Sequence, residues 1–397
     1  MDKAAQPSKA YSYLMMCGHI CCDMNQSSIP ALLPFLVAHR GIDFAAAAGL
    51  TFATSFLSSM IQPLLGMIAD RKQMPWLMGL GILMTGLGIA SIGFIDTYWG
   101  IFVVSMFSGL GSAIFHPEGG RMANCVAGEK RGRDMSIFAA GGNLGFVIGP
   151  VVITLAVSAW GLRGTSVVLV PTLIVVSVFF GLQKKFMAIS NAMKHEVQKR
   201  EAEIGWQDDW PAFTKLCISI FSRSIVQNSL STFIPLYWVS VLLRTQQQGS
   251  LMVTIMALTS TMAAFTGGRL ADRFGFCRVI RAAFAMMIPL IILMLMTRNV
   301  WLATVLAALL AAMPHIAHGP SVVLGQKYLP HRVGLASGVT LGLAISVGGI
   351  CSPLLGHLGD AFGLTTVFYV VAGVALVGLL GSLFIKEPTL SSMQVEA

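Results

Sequence analysis

Charge is what this chain has least of. Only 11% of its 397 residues are Asp, Glu, Lys or Arg while 55% are hydrophobic, against roughly a quarter charged in an ordinary soluble domain. That imbalance excludes a water-soluble fold of this size. No GxxxxGK[ST] loop occurs, so nothing is built to cradle a nucleotide phosphate, and ATP is not the expected energy source. Cys17, Cys21, Cys22, Cys125, Cys217, Cys277 and Cys351 form no paired framework and no metal quartet. They read as small buried hydrophobes, and neither a metal nor a cofactor is expected. The first apolar stretch carries Asp23, Asn25 and Gln26 with no small-residue cleavage site after it, which predicts a retained span rather than a signal peptide.

What fills the chain instead is a series of hydrophobic runs, each near the 20 or so apolar residues that cross a bilayer. They fall at about 11–37, 44–69, 75–95, 98–127, 134–159 and 163–183, then at about 212–242, 249–271, 279–297, 300–328, 333–358 and 364–385. The pattern predicts an all-α integral membrane protein of 12 transmembrane helices in two six-helix halves, residues 1–186 and 212–397. Residues 187–211 turn polar, with helix-spaced opposite charges at Glu196 and Arg200 and at Lys199 and Glu203. They read as a cytoplasmic linker helix, either a solvated connector or a regulatory element.

A formal charge of +9 raises nucleic acid as a partner, and the placement of the basic residues argues against it. Apart from Arg121 and Arg223, which lie inside hydrophobic runs, they gather in alternate loops: Arg71 and Lys72, Lys130 to Arg133, Lys184 to Arg200, Arg269 to Arg281, Lys327 and Arg332. The opposite loops hold only Arg40, Arg163, Arg244 and Arg298. The positive-inside rule then places both termini in the cytoplasm and demands an even number of spans. The expected partners are the lipid bilayer, protons and a small organic substrate, with no nucleic acid and a single chain as the working unit.

The halves repeat one another. Gly66 to Arg71, GMIADR, recurs as GRLADR from Gly268 to Arg273, His116 and His318 keep the same offset, and Gly149-Pro150 matches Ser352-Pro353 within one residue. Two such halves around a midplane site are the architecture of rocker-type secondary transporters. The GxxADR loops resemble those of the major facilitator superfamily. Phe115-His116-Pro117-Glu118 with Arg121, then Ser136-Ile137-Phe138 and Gly141-Gly142-Asn143-Leu144-Gly145 running to Gly149-Pro150, resemble its fosmidomycin-resistance branch. The resemblance extends over nearly the whole chain, including Leu329-Pro330 and Gly334 to Gly338. It implies a non-enzymatic bacterial inner-membrane pump exporting a small organic compound or drug, such as fosmidomycin, against protons. A symporter or uniporter importing a small acid or nutrient is the alternative on the same scaffold. A membrane enzyme or receptor is disfavoured, because no soluble domain accompanies the spans. The first loop departs from the superfamily pattern at Gln73 and Met74, while the second, through Gly275 and Arg278, is fuller.

Intramembrane charges cost at least about 2.5–3.5 kcal/mol each on the insertion scale, so each asks for a partner or a function. In the first and fourth spans of each half, which line the central cavity in the resembled family, stand His19, Asp23, His116, Glu118 and Arg121, then Arg223, Gln227, Asn228, His315 and His318. At 1.5 Å per residue, His19 and His116 both fall about 6 Å to the cytoplasmic side of the midplane, and Asp23 stands one turn from His19 on the same face. Asp23, His19, His116 and Glu118 are the candidate proton-coupling group, since histidine titrates near neutrality. The rival reading makes Glu118 and Arg121 a static pair and the histidines packing residues. Arg223 suits a phosphonate or carboxylate, or pairs with a carboxylate of the first half. Gln227, Asn228, His315, His318 and Asn143 complete the candidate substrate set. Asp70, Arg71, Asp272, Arg273 and Arg121 are candidate latch residues: the resemblance sets each loop carboxylate against a helix start in the other half, and a pair with the adjacent Arg71 or Arg273 is the alternative. Gly145, Gly149, Pro150 and Pro353 belong to a small-residue, kinked face that serves either gating between halves or ordinary tight packing.

Overall fold

The computed structural model describes residues 9–71, 74–126, 131–197, 208–329, 336 and 338–387. Among them every regular element is helical. The first series is α1 (Lys9–Arg40), α2 (Phe44–Arg71), α3 (Trp76–Ser91), α4 (Tyr98–Val126), α5 (Arg131–Trp160) and α6 (Leu169–Gly181). A 3-10 stretch, Gly161–Val168, joins the last two, and Gly161 opens it at φ +63°, a backbone region that glycine enters without steric cost. After α7 (Gln183–Val197) come α8 (Trp210–Ser240), α9 (Gln246–Phe274), α10 (Phe276–Met296) and α11 (Val300–Tyr328). A π-helical turn, Gly338–Leu343, leads into α12 (Ala344–Phe362), and α13 (Leu364–Leu383) closes the series. Each expected run overlaps one of these helices within the described residues. Pro330 and Gly334 lie outside the described residues.

Eight stretches among the described residues are long and apolar enough to cross a membrane, one of them, Ile137–Gly181, running through both α5 and α6. Helices α1, α7, α8 and α12 fall outside that set, and for α1 and α8 the reason bears on function. They bury Asp23, Asn25, Ser27 and Ser28 in one case and Ser222, Arg223, Ser224 and Thr232 in the other, and polar side chains lower the mean hydropathy of the helices that hold them.

The chain divides into two compact units, Met1–Leu32 with Ala53–Glu203, and Leu33–Phe52 with Ile204–Ala397. Within the first, glycine sets how closely helices approach. A Cβ on Gly81 would stand 2.6 Å from the carbonyl oxygen of Gly111, so α3 and α4 meet backbone to backbone. The core of this unit holds Cys21, Ile82, Phe115, Met122, Phe138 and Phe179, together with Phe186 and Ile189 of α7. The polar stretch expected to be a surface linker from residue 187 therefore begins as a helix with one apolar face sunk into the first unit. Residues 198–207 of that stretch lie outside the described residues.

In the second unit, residues 33–52 join the later helices through a defined contact. The carboxylate of Asp360, near the end of α12, accepts from the backbone N–H of Phe44 at 2.8 Å and of Ala45 at 2.9 Å. Two of the four unpaired N–H groups at the start of α2 are satisfied in this way.

Candidate functional site

Helix periodicity places His19 and Asp23 on one face of α1, and His116 comes to them from α4. The Nε2 atom of His19 lies 3.2 Å from Oδ2 of Asp23, and that of His116 lies 3.1 Å from Oδ1. Asp23 is 4% exposed, so its carboxylate has the two imidazoles in place of water. Each ring is aimed from behind. His19 turns Nδ1 to the backbone oxygen of Phe138 at 2.8 Å, and His116 turns Nδ1 to that of Ser112 at 2.9 Å, with Ser112 Oγ 3.0 Å away. A carbonyl oxygen only accepts, so each Nδ1 carries a hydrogen. The Nε2 atoms are left to face the carboxylate, and they bond to it only when they too hold a proton.

Packing holds this arrangement in register. The Phe138 ring lies over His19 with centroids 4.2 Å apart, and the two imidazoles meet edge to face at 5.2 Å. Helix α5 reaches them because it carries glycine. A Cβ on Gly142 would stand 2.6 Å from His19 Nε2 and 2.7 Å from Asp23 Oδ2, and one on Gly145 would stand 2.6 Å from the backbone oxygen of Ile20. Gly149 likewise abuts Met24 and Ser27. The smooth face of α5 is thus packed closely on α1 of its own unit at Gly145 and Gly149. The three ligand atoms of His19, Asp23 and His116 lie within 4.8 Å of one another, a spacing that would also admit one metal ion.

Glu118 does not join this group. Arg121 donates to it through Nε at 2.9 Å and through Nη2, and sends Nη1 to Ser190 of α7 at 2.7 Å. Glu118 is 1% exposed, so the carboxylate expected to help move protons is held as half of a buried pair. The physical reason is spacing: residues 118 and 121 are neighbours on the α4 surface, while 116 and 118 point to different sides of the helix. Arg121, a candidate latch residue, ties α4 to α7 in this structure.

The second unit gathers a different set. Arg223 of α8 donates from Nη1 to Gln227 Oε1 at 2.7 Å, and Gln227 Nε2 lies 3.3 Å from His315 Nε2 on α11. His315 Nδ1 faces the Ala311 oxygen at 3.1 Å, which makes it the donor there and leaves Nε2 to accept from the amide. Asn228 instead bonds to the Ser224 oxygen of its own helix at 3.0 Å. Arg223 is 3% exposed, and its Nε and the Nδ1 of His318 are buried without a hydrogen-bond partner.

The remaining candidates are dispersed. Asn143 lies half buried on α5, and Pro353 sits inside α12. Asp272 and Arg273 are exposed at the end of α9, with Arg273 5.2 Å over the Phe274 ring. Asp70 and Arg71 end α2, and their side chains lie outside the described residues. Sequence reasoning did not select Ser112, Phe138, Ser190 or Asp360. Ser112, one turn before His116, carried a usable signal, but the backbone oxygen of Phe138 carried none.

Apolar helices with polar clusters buried among them, all that the described residues form, are the architecture of a multi-pass membrane protein, and the sequence places it among transporters: residues 15–242 and 216–396 match the Major Facilitator Superfamily, to which the chain belongs. It is similar to an uncharacterized MFS-type transporter, YfnC, of Bacillus subtilis, at 31% identity over 96% of this chain and 94% of that one. It is also similar to the fosmidomycin resistance protein of Escherichia coli K12, at 25% identity over 91% and 89%. Among solved structures, an inward-facing, occupied bacterial homologue of the human lysosomal transporter Spinster matches with a TM-score of 0.79 at 13% identity, covering 99% of this chain and all of that one. That likeness establishes the fold alone.

Proposed function

We propose that the protein is a proton-coupled exporter of a small organic compound, fosmidomycin or a molecule of that kind, in the inner membrane of a bacterium, with both termini in the cytoplasm. The observation that carries this reading is the buried group of Asp23, His19 and His116. Both imidazoles meet the carboxylate through atoms whose attraction depends on bound protons, so gaining or losing a proton changes the forces between α1 and α4. A carrier must couple such a change to its alternation between states, and the similarity to a protein named for fosmidomycin resistance supports export as the direction.

The energy suffices. One proton crossing with about 100 mV yields about 2.3 kcal/mol, and at tenfold per 1.4 kcal/mol this sustains roughly a fifty-fold gradient. The test is fosmidomycin uptake into inside-out proteoliposomes under an acid-inside pH gradient, with proton release followed in parallel. Accumulation with proton release supports antiport. Accumulation only when vesicles are right-side-out and acid outside points to the importing alternative, and movement of neither drug nor proton removes fosmidomycin as the cargo.

A further inference from the structure

The guanidinium of Arg223 is buried in a unit whose described residues offer it no counter-charge. Helices α8 and α11 contain no Asp or Glu. The acidic residues described in the second unit, Asp43, Asp208, Asp209, Asp272, Asp360 and Glu387, all stand in the final turn of a helix or beyond its end. Arg223 is buried and makes no ion pair among the described residues. What it has is an aiming device. Gln227 accepts from one terminal nitrogen and is itself oriented by His315, whose other ring nitrogen is pinned on Ala311. The Nε edge of the guanidinium is left open, and a buried Nδ1 of His318, one turn along α11 from His315, is open as well.

A guanidinium donates and never accepts, so a metal ion or an amine has nothing to bind at its open edge. An oxyanion has: two oxygens of a carboxylate or phosphonate match the spacing of the fork. We infer that Arg223, oriented by Gln227 and assisted by His318, forms an anion-binding subsite in the second unit, and that the cargo carries a carboxylate or phosphonate. The role given to the subsite rests on the transport reading above, but its existence does not.

Thermal unfolding of the full chain in detergent, followed by tryptophan fluorescence, tests this without a proton gradient and without fosmidomycin. The probes are sodium methylphosphonate and sodium acetate against sodium chloride at equal ionic strength, with dimethyl methylphosphonate and methyl acetate as neutral controls. A ligand that binds only the folded state raises the midpoint. At least one anion should raise it while neither ester does, and Arg223→Gln should weaken the apparent affinity at least tenfold, His318→Gln by less. Stronger protection by methylphosphonate assigns a phosphonate or phosphate cargo, and stronger protection by acetate a carboxylate. If Arg223→Gln fails to fold, Arg223→Lys, which keeps the charge and loses the fork, should still weaken protection. Neither anion protecting the wild type, or protection unchanged in the Arg223 and His318 variants, overturns the assignment. Because the readout involves no coupling, its failure leaves the Asp23 group untouched, and loss of proton coupling leaves this subsite standing.

Discussion

Glu118 is gripped by Arg121 three residues along α4, through both Nε and Nη2 of the guanidinium, and that grip separates two carboxylates that the sequence placed together. Asp23 faces imidazoles that can gain or lose protons. Glu118 faces a cation that keeps its charge at any physiological pH. The first arrangement suits coupling and the second suits structure.

Glu118→Gln is therefore expected to cost stability rather than coupling. Removing one partner of a buried pair strands the other, at about 3 kcal/mol here, the lower end of the usual range because Arg121 is partly exposed. Thermal unfolding of the single variants and of Glu118→Gln with Arg121→Gln checks this, the double variant losing less than the sum of the singles. A folded Glu118→Gln protein should still release protons with its cargo, and loss of that release at full stability would return Glu118 to the coupling group.

The glycines of α5 separate function from packing. Gly145→Ala drives a methyl group into the backbone of α1 and should destabilise by about 1–3 kcal/mol. Gly142→Ala meets side-chain atoms of His19 and Asp23 instead, which have some room to turn. It should reduce proton-driven transport at least tenfold with a smaller change in unfolding midpoint, and equal effects of the two substitutions on both readouts would argue against this division.

The apolar face of α7 gives a third prediction. Ile189, inside the stretch expected as a linker, is buried in the first unit, so Ile189→Ala should cost about 2–5 kcal/mol, whereas a solvated linker would tolerate it within about 0.5 kcal/mol. Chemical or thermal unfolding of the purified protein distinguishes the two directly.

These cases show where the sequence was legible. Twelve hydrophobic runs and an internal repeat carry the fold because a bilayer permits few architectures. The meeting of His19, Asp23 and His116 was readable because helical rise converts residue number into depth. The pairing of Glu118 was present as the i, i+3 spacing to Arg121 but was outweighed by the rarity of a carboxylate in the membrane. The buried side of the linker's start was overlooked because its charges were weighed and Ile189, three residues after Phe186 of the first half, was not. The carbonyl of Phe138 that aims His19 belongs to the backbone, whose position no side-chain pattern records.

The most direct test of the central claim, that the Asp23 group couples protons to cargo, compares two modes of transport in one variant. Reconstituted Asp23→Asn should still exchange labelled for unlabelled substrate across the membrane at a rate near that of the wild type, because exchange needs no net proton movement, yet fail to concentrate substrate under a pH gradient. An Asp23→Asn protein that still accumulates substrate against its gradient and releases protons in step would contradict the account.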